Sequence, residues 1–100
     1  MTAYIVVDLT PINADKMQEY GAAAAVTVAE HGGEFVVKGP ITALNPEENL
    51  NEDQAEQYVT KVIIQFPDHD KALAWYNSDA YQAIIPTRKL AMKSQFHIIG

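Results

Sequence analysis

Residues 3–9, Ala-Tyr-Ile-Val-Val-Asp-Leu, are β-branched and apolar on both alternating faces. Successive side chains of a strand point to opposite sides of a sheet, so this segment suits a central strand covered on each side. Residues 58–66 repeat the pattern, with Val59 and Ile63 on one face, Val62 and Ile64 on the other, and Pro67 as the stop. A chain of 100 residues, 48% hydrophobic and 20% charged, makes one ordinary domain with a modest core and has no room for a second. Its helices suffice for one face of such a sheet. The other face needs a further layer, and a second copy of the chain is the economical one.

The remaining elements follow from periodicity and punctuation. Pro11 and Asn13 end the first strand, Asn13 is an N-cap, and Met17, Tyr20, Ala24 and Val28 recur at three- and four-residue steps until Gly32-Gly33. This predicts a helix over 14–31, brought close to the sheet by the alanine run 22–25. A second strand is expected at 35–38, with a bend or bulge at Gly39-Pro40 and an extension or a further strand over 41–44. After the third strand, Asp68 caps a short helix carrying Ala72, Leu73, Trp75 and Tyr76, and Ser78 caps another piece through Tyr81 and Ile85. Pro86 either kinks that piece or begins a new turn. The last strand is placed at 95–99. The resulting order, β, α, β, β, α, β, is the split pattern of an α+β ferredoxin-like sandwich, in which a four-stranded antiparallel sheet carries helices on one face and residues 1–100 form a single domain.

Composition removes several functions. Without cysteine there is no disulfide framework, thiol nucleophile or thiolate metal site. A net charge of −6 argues against a nucleic-acid partner. No apolar run reaches the roughly 18 residues of a membrane span, and no secretory signal opens the chain, so a cytoplasmic protein is expected. Much of the acid lies in 46–57, where Glu47, Glu48, Glu52, Asp53 and Glu56 have no basic neighbour. This reads as an exposed loop dispensable for folding, because it lacks the alternating spacing and central glycine of a calcium loop. Phosphate-loop and dinucleotide motifs are also missing, and no cofactor is expected.

The run Trp75-Tyr76-Asn77-Ser78-Asp79-Ala80-Tyr81-Gln82, followed by Pro86-Thr87-Arg88, carries the most specific signal. With residues 4–8, Tyr20 and the segment 32–39, it resembles the family known as domain of unknown function 1330, over nearly the whole chain. The resemblance implies a dimeric alpha-beta barrel, a homodimer in which two sheets meet face to face. It also implies a cavity between each sheet and its helices, where related families hold small organic ligands. Relatives in the wider superfamily include cofactor-free monooxygenases and isomerases. A non-catalytic dimerising module, its pocket filled by its own side chains, is the competing class.

Six residues are candidates for the pocket: Asp8, Tyr20, Trp75, Tyr81, Arg88 and His97. Arg88 leads, since its planar fork holds a carboxylate or phosphate through two charge-assisted hydrogen bonds. Its alternative is a structural pair with Asp8. Tyr20, Trp75, Tyr76 and Tyr81 serve either as core and interface aromatics or, with a hydroxyl facing a cavity, as ligand contacts. Among the histidines, His31 belongs at a helix C-terminus and His69 on an exposed first turn, and neither shares metal spacing with His97. His97 lies among Phe96, Ile98 and Ile99 and is the histidine expected either to face a cavity or to be a satisfied core imidazole. In an enzyme, His97 or Asp8 would serve as general base. Ser78 is a cap and Ser94 is placed in a turn, so neither reads as a nucleophile.

Overall fold

The computed structural model describes residues 1–45 and 58–100. The acidic stretch 46–57, expected as a dispensable loop, lies outside them. The chain runs β1 (Ala3–Pro11), α1 (Ala14–Glu30), β2 (Glu34–Pro40), β3 (Thr60–Phe66), α2 (His69–Asn77), α3 (Asp79–Gln82), α4 (Ile85–Ala91) and β4 (Met92–Ile99). Its four strands form one antiparallel sheet in the order β2-β3-β1-β4. This is the expected α+β ferredoxin-like arrangement, with the second helical segment broken into three pieces. No helix among the described residues is long and apolar enough to cross a membrane.

Register decides what each face carries. Ile5 stands between Ile64 and Ile98, and Val7 between Val62 and Phe96, so these side chains share one face. That face packs with Tyr20, Ala24 and Val28 of α1, Ala72 and Trp75 of α2, and Tyr81 of α3 into a single core. On α1 the buried residues Tyr20, Ala24, Thr27 and Val28 fall on one stripe. Only part of the alanine run reaches it, since Ala22 and Ala25 are exposed. No helix of the described residues lies over the opposite face. Tyr4, Val6 and Asp8 point there, with Ile63, Gln65, Gln95, His97 and Ile99 beside them in register, and Val37 joins from β2.

Local signals set the element ends. The Asn13 side chain accepts from the Lys16 amide and opens α1, and Gly32, at φ +75°, supplies the left-handed residue that closes it after His31. Asp68 accepts from the Lys71 amide at the start of α2. Ser78 serves two helices: its hydroxyl donates to the Trp75 carbonyl at 2.7 Å and accepts from the Tyr81 amide at 3.2 Å.

Three expectations are corrected, and the open alternative at Pro86 is resolved. The irregularity in β2 is a bulge between Phe35 and Val37, whereas Gly39 and Pro40 continue the strand. Pro40 is tolerated because β2 is an edge strand. Residues 41–44 form no strand. β4 begins at Met92, because β1 pairs with it as far as Pro11, and Ser94 therefore lies in the ladder and not in a turn. Pro86 stands at the first turn of α4, where its missing N–H costs nothing, so it starts a helix and does not kink one.

Gly33 is held by contact. A Cβ there would lie 2.6 Å from Phe66 Cε1 and 2.7 Å from Val28 Cγ1, both on buried side chains. Gly33→Ala is expected to cost about 1–3 kcal/mol through overpacking. The midpoint of urea unfolding should fall with its slope unchanged, and an unaltered midpoint would contradict this packing.

Candidate functional site

Tyr81, fully buried, is the hub of an aromatic cluster. Its ring centroid lies 4.4 Å from Trp75, 5.2 Å from Tyr76, and 6.4 Å from both Tyr20 and Phe96. Trp75 packs 5.5 Å from Phe66 and donates its indole N–H to Thr27 Oγ1 at 3.0 Å. Every polar atom of the indole is thereby satisfied inside the core, which makes Trp75 a packing residue of this region.

Arg88 extends from α4 over the cluster. Its Nη1 donates to the hydroxyls of Tyr76 at 3.0 Å and Tyr81 at 3.1 Å. The guanidinium carbon stands 4.7 Å from the centroid of Phe96 and 5.8 Å from that of Tyr76, within the range of a cation–π contact. Tyr81 in turn shares a 2.7 Å hydrogen bond with Tyr20 from α1. Beside this chain lies a half-open groove of about 420 Å³ between sheet and helices, walled by Ile5, Leu73, Tyr76, Arg88 and the β4 run 94–98. Alternation turns Ser94, Phe96 and Ile98 toward the groove.

Asp8 and His97 do not join this group. Asp8 lies on the opposite face, where it accepts from Gln95 Nε2 at 3.1 Å and pairs with Lys61 at 3.3 Å. The structural alternative for Arg88, a pair with Asp8, is therefore corrected: the sheet stands between them. His97 is opposite Val6 in the ladder and its side chain is exposed, so it contributes strand to the groove wall while its imidazole faces the other side. His31 Nδ1 meets the Thr27 carbonyl and His69 Nδ1 the Gly100 carbonyl. Tyr76, treated as a core aromatic, and Phe96, which lies beneath the guanidinium, complete the site. Parity was the available signal, because Phe96 and Ile98 must share a face that His97 cannot.

Burial keeps the Tyr20 and Tyr81 phenols neutral. Burial pushes the Tyr20 hydroxyl far above the ordinary phenol range, and proximity to Tyr81 adds to the effect. Burial also raises Tyr81, although its bonds to Tyr20 and Arg88 pull the other way. For Arg88, burial disfavours the charge, but the bonds to Tyr76 and Tyr81 outweigh it and hold the guanidinium above its usual value.

Counting hydrogens gives the site its chemical sense. Tyr81 and Tyr20 share one hydrogen bond but own two hydroxyl hydrogens, and Arg88 already donates to Tyr81. Whichever phenol donates, one hydrogen has no acceptor among the described residues. Tyr76 likewise accepts from Arg88 and keeps its own hydrogen free of any such acceptor. The region has a surplus of donors, and a buried donor without an acceptor is costly.

The family described as "Domain of unknown function (DUF1330)" matches residues 2–100. No curated protein matches the sequence. Among solved structures, a protein of unknown function from Rhodopseudomonas palustris is similar at TM-score 0.71 and 13% identity, covering 98% of this chain and 80% of that one. A dimeric ferredoxin-like protein of unknown function from Jannaschia sp. CCS1 is similar at TM-score 0.70 and 18% identity, covering 100% and 99%. SnoaB, a cofactor-independent oxygenase from Streptomyces nogalater, is similar at TM-score 0.65 and 15% identity, covering 99% and 91%. At these identities the likeness establishes the fold.

A pH dependence follows from the two phenols. In the unfolded chain they ionise near pH 10, whereas both folded values are raised, so the unfolded state releases protons first. Their contribution is complete below that pH and is lost as pH rises. Stability should fall by about 1.4 kcal/mol per pH unit for each phenol above pH 10. Denaturant titrations between pH 9 and 11.5 should show Tyr20→Phe with a shallower decline than the parent. Equal slopes would contradict the buried assignment.

Proposed function

The chain belongs to the DUF1330 family, and from that membership and its Arg88 groove we propose a homodimeric protein that binds a small anionic organic molecule between sheet and helices. One observation carries the reading. Arg88 is a half-buried cation that lines the groove, and its side-chain partners among the described residues are two neutral phenols, with no carboxylate. Desolvating a guanidinium without a counter-ion is unfavourable, and an anion in the groove supplies both the charge and acceptors for Arg88, which lines it.

Binding is better supported than catalysis. Asp8 and His97, the candidate bases, have their side chains on the other face, and the buried phenols stay protonated near neutrality. The likeness to SnoaB supports the fold and leaves its oxygenase activity with that protein.

The second copy belongs to this reading because the uncovered face carries Val6, Ile63, Val37 and Ile99, the last two 51% and 60% exposed. Of its charged residues, Asp8 and Lys61 are paired with each other, so an interface there strands neither of them, whereas Glu34 and Lys93 share the face by register and are exposed. The Jannaschia protein, of similar fold, is described as dimeric.

Differential scanning fluorimetry against small carboxylates, sulfonates and phosphate esters tests the binding. At least one anion should raise Tm, since a ligand at 100 times its Kd adds about 2.7 kcal/mol. Arg88→Met should leave the apo protein within about 1 kcal/mol of the parent and abolish that response. A folded Arg88→Met protein that still responds would contradict the site.

Light scattering tests the assembly. The parent should show the mass of two chains, with on the order of 2,000 Å² buried in total, and Ile63→Asp should give one chain through an unpaired interfacial charge. A monomeric parent at micromolar concentration would overturn the dimer.

A further inference from the structure

The Arg88 guanidinium is engaged at one corner and on one face. Both Nη1 hydrogens are taken, one by Tyr76 and one by Tyr81, and Phe96 lies against the plane at 4.7 Å. The Nε–H and the two Nη2–H groups have no acceptor among the described residues. Nε–H and the adjacent Nη2–H point in parallel from a rigid fork, with the spacing of the two oxygens of a carboxylate met side-on. The two phenols fix the rotation of the fork about its stem, so this edge is positioned before any ligand arrives.

Charge and lining narrow the ligand further. Arg88 is the one lysine or arginine among the described residues lining the groove, which matches a single negative charge. A dianion would stand half-neutralised in a chain of net charge −6. The rest of the wall is chiefly Leu73, Phe96, Ile98 and Ile5, an apolar bed. Resting on the anion-binding reading, we infer that the groove takes a monocarboxylate with an apolar body. Its carboxylate lies side-on against Nε and Nη2 of Arg88, Tyr76 and Tyr81 hold the fork from the opposite corner, and its body packs on Phe96 and Leu73.

Isothermal titration of the intact protein with acetate, butyrate, hexanoate, phenylacetate, phenylacetamide and inorganic phosphate tests this. Affinity should rise about fourfold per methylene along the straight-chain acids until the groove is full, with phenylacetate well above phosphate and phenylacetamide. Arg88→Lys keeps the charge but loses the parallel pair, and should weaken phenylacetate by about tenfold or more. Tyr76→Phe removes one of the two acceptors that fix the fork and should weaken it severalfold through lost preorganisation. Both variants are compared with the parent by circular dichroism and melting before titration. Phosphate binding more tightly than phenylacetate, or an acid series of flat affinity, would overturn the carboxylate inference while leaving an anion site. Phenylacetamide equal to phenylacetate, or no binding by any probe, would overturn both. Unchanged phenylacetate affinity in a folded Arg88→Lys protein would refute the side-on contact.

Discussion

The hydrogen-bonded chain from Tyr20 through Tyr81 to Arg88 and Tyr76 holds the site together, because each member comes from a different helix. A helix as short as α3 (Asp79–Gln82) has no stability of its own, since so few residues cannot repay the cost of nucleation. It persists because Tyr81 is sunk among Trp75, Tyr76 and Phe96 and because Ser78 caps it while closing α2. The breaks at Ser78 and Pro86 have a consequence for the groove. One uninterrupted helix would carry its residues past β4 along a single line, whereas three pieces turn Tyr81 inward and bring Arg88 back over Phe96.

Phenols are well suited to this task. A carboxylate partner would position Arg88 equally well, but it would also neutralise it and occupy its fork. Tyr76 and Tyr81 accept hydrogen bonds without bringing charge, and burial keeps Tyr81 from ionising. The guanidinium is thus oriented while its charge and its Nε and Nη2 hydrogens remain available. The sheet divides this chemistry from a different set on its far side, where Asp8, Lys61 and Gln95 satisfy one another. The two polar clusters lie on opposite faces of the sheet: one leaves a cation with free donors, and the other pairs its charges internally.

The fold was legible because strand parity and punctuation agree. Asn13, Asp68 and Ser78 cap the helices that their positions implied, and the two-faced segments became the two central strands β1 and β3. Where reading failed, tertiary pairing had prevailed over local pattern. Met92, Lys93 and Ser94 carry no strong strand signal, and only the ladder to Pro11, Thr10 and Leu9 makes them strand. The region of the site was visible in the aromatic run and in Arg88, but its wiring was not. Asp8 was a chemically sensible partner for Arg88, and sequence does not reveal that β1 presents it to the opposite side. Nor does sequence spacing reveal that Tyr76, in a neighbouring helix, takes one of the Arg88 hydrogens.

Arg88 is the sole arginine of the chain, so its Nε–H gives a single assignable resonance in a ¹⁵N-labelled sample. This hydrogen has no acceptor among the described residues and, in the proposed complex, donates to a carboxylate oxygen. Titration with phenylacetate should move the Nε–H signal downfield and slow its exchange with water, saturating together with the heat of binding. An Nε–H resonance that stays in place and keeps its exchange rate at saturating phenylacetate would contradict the account.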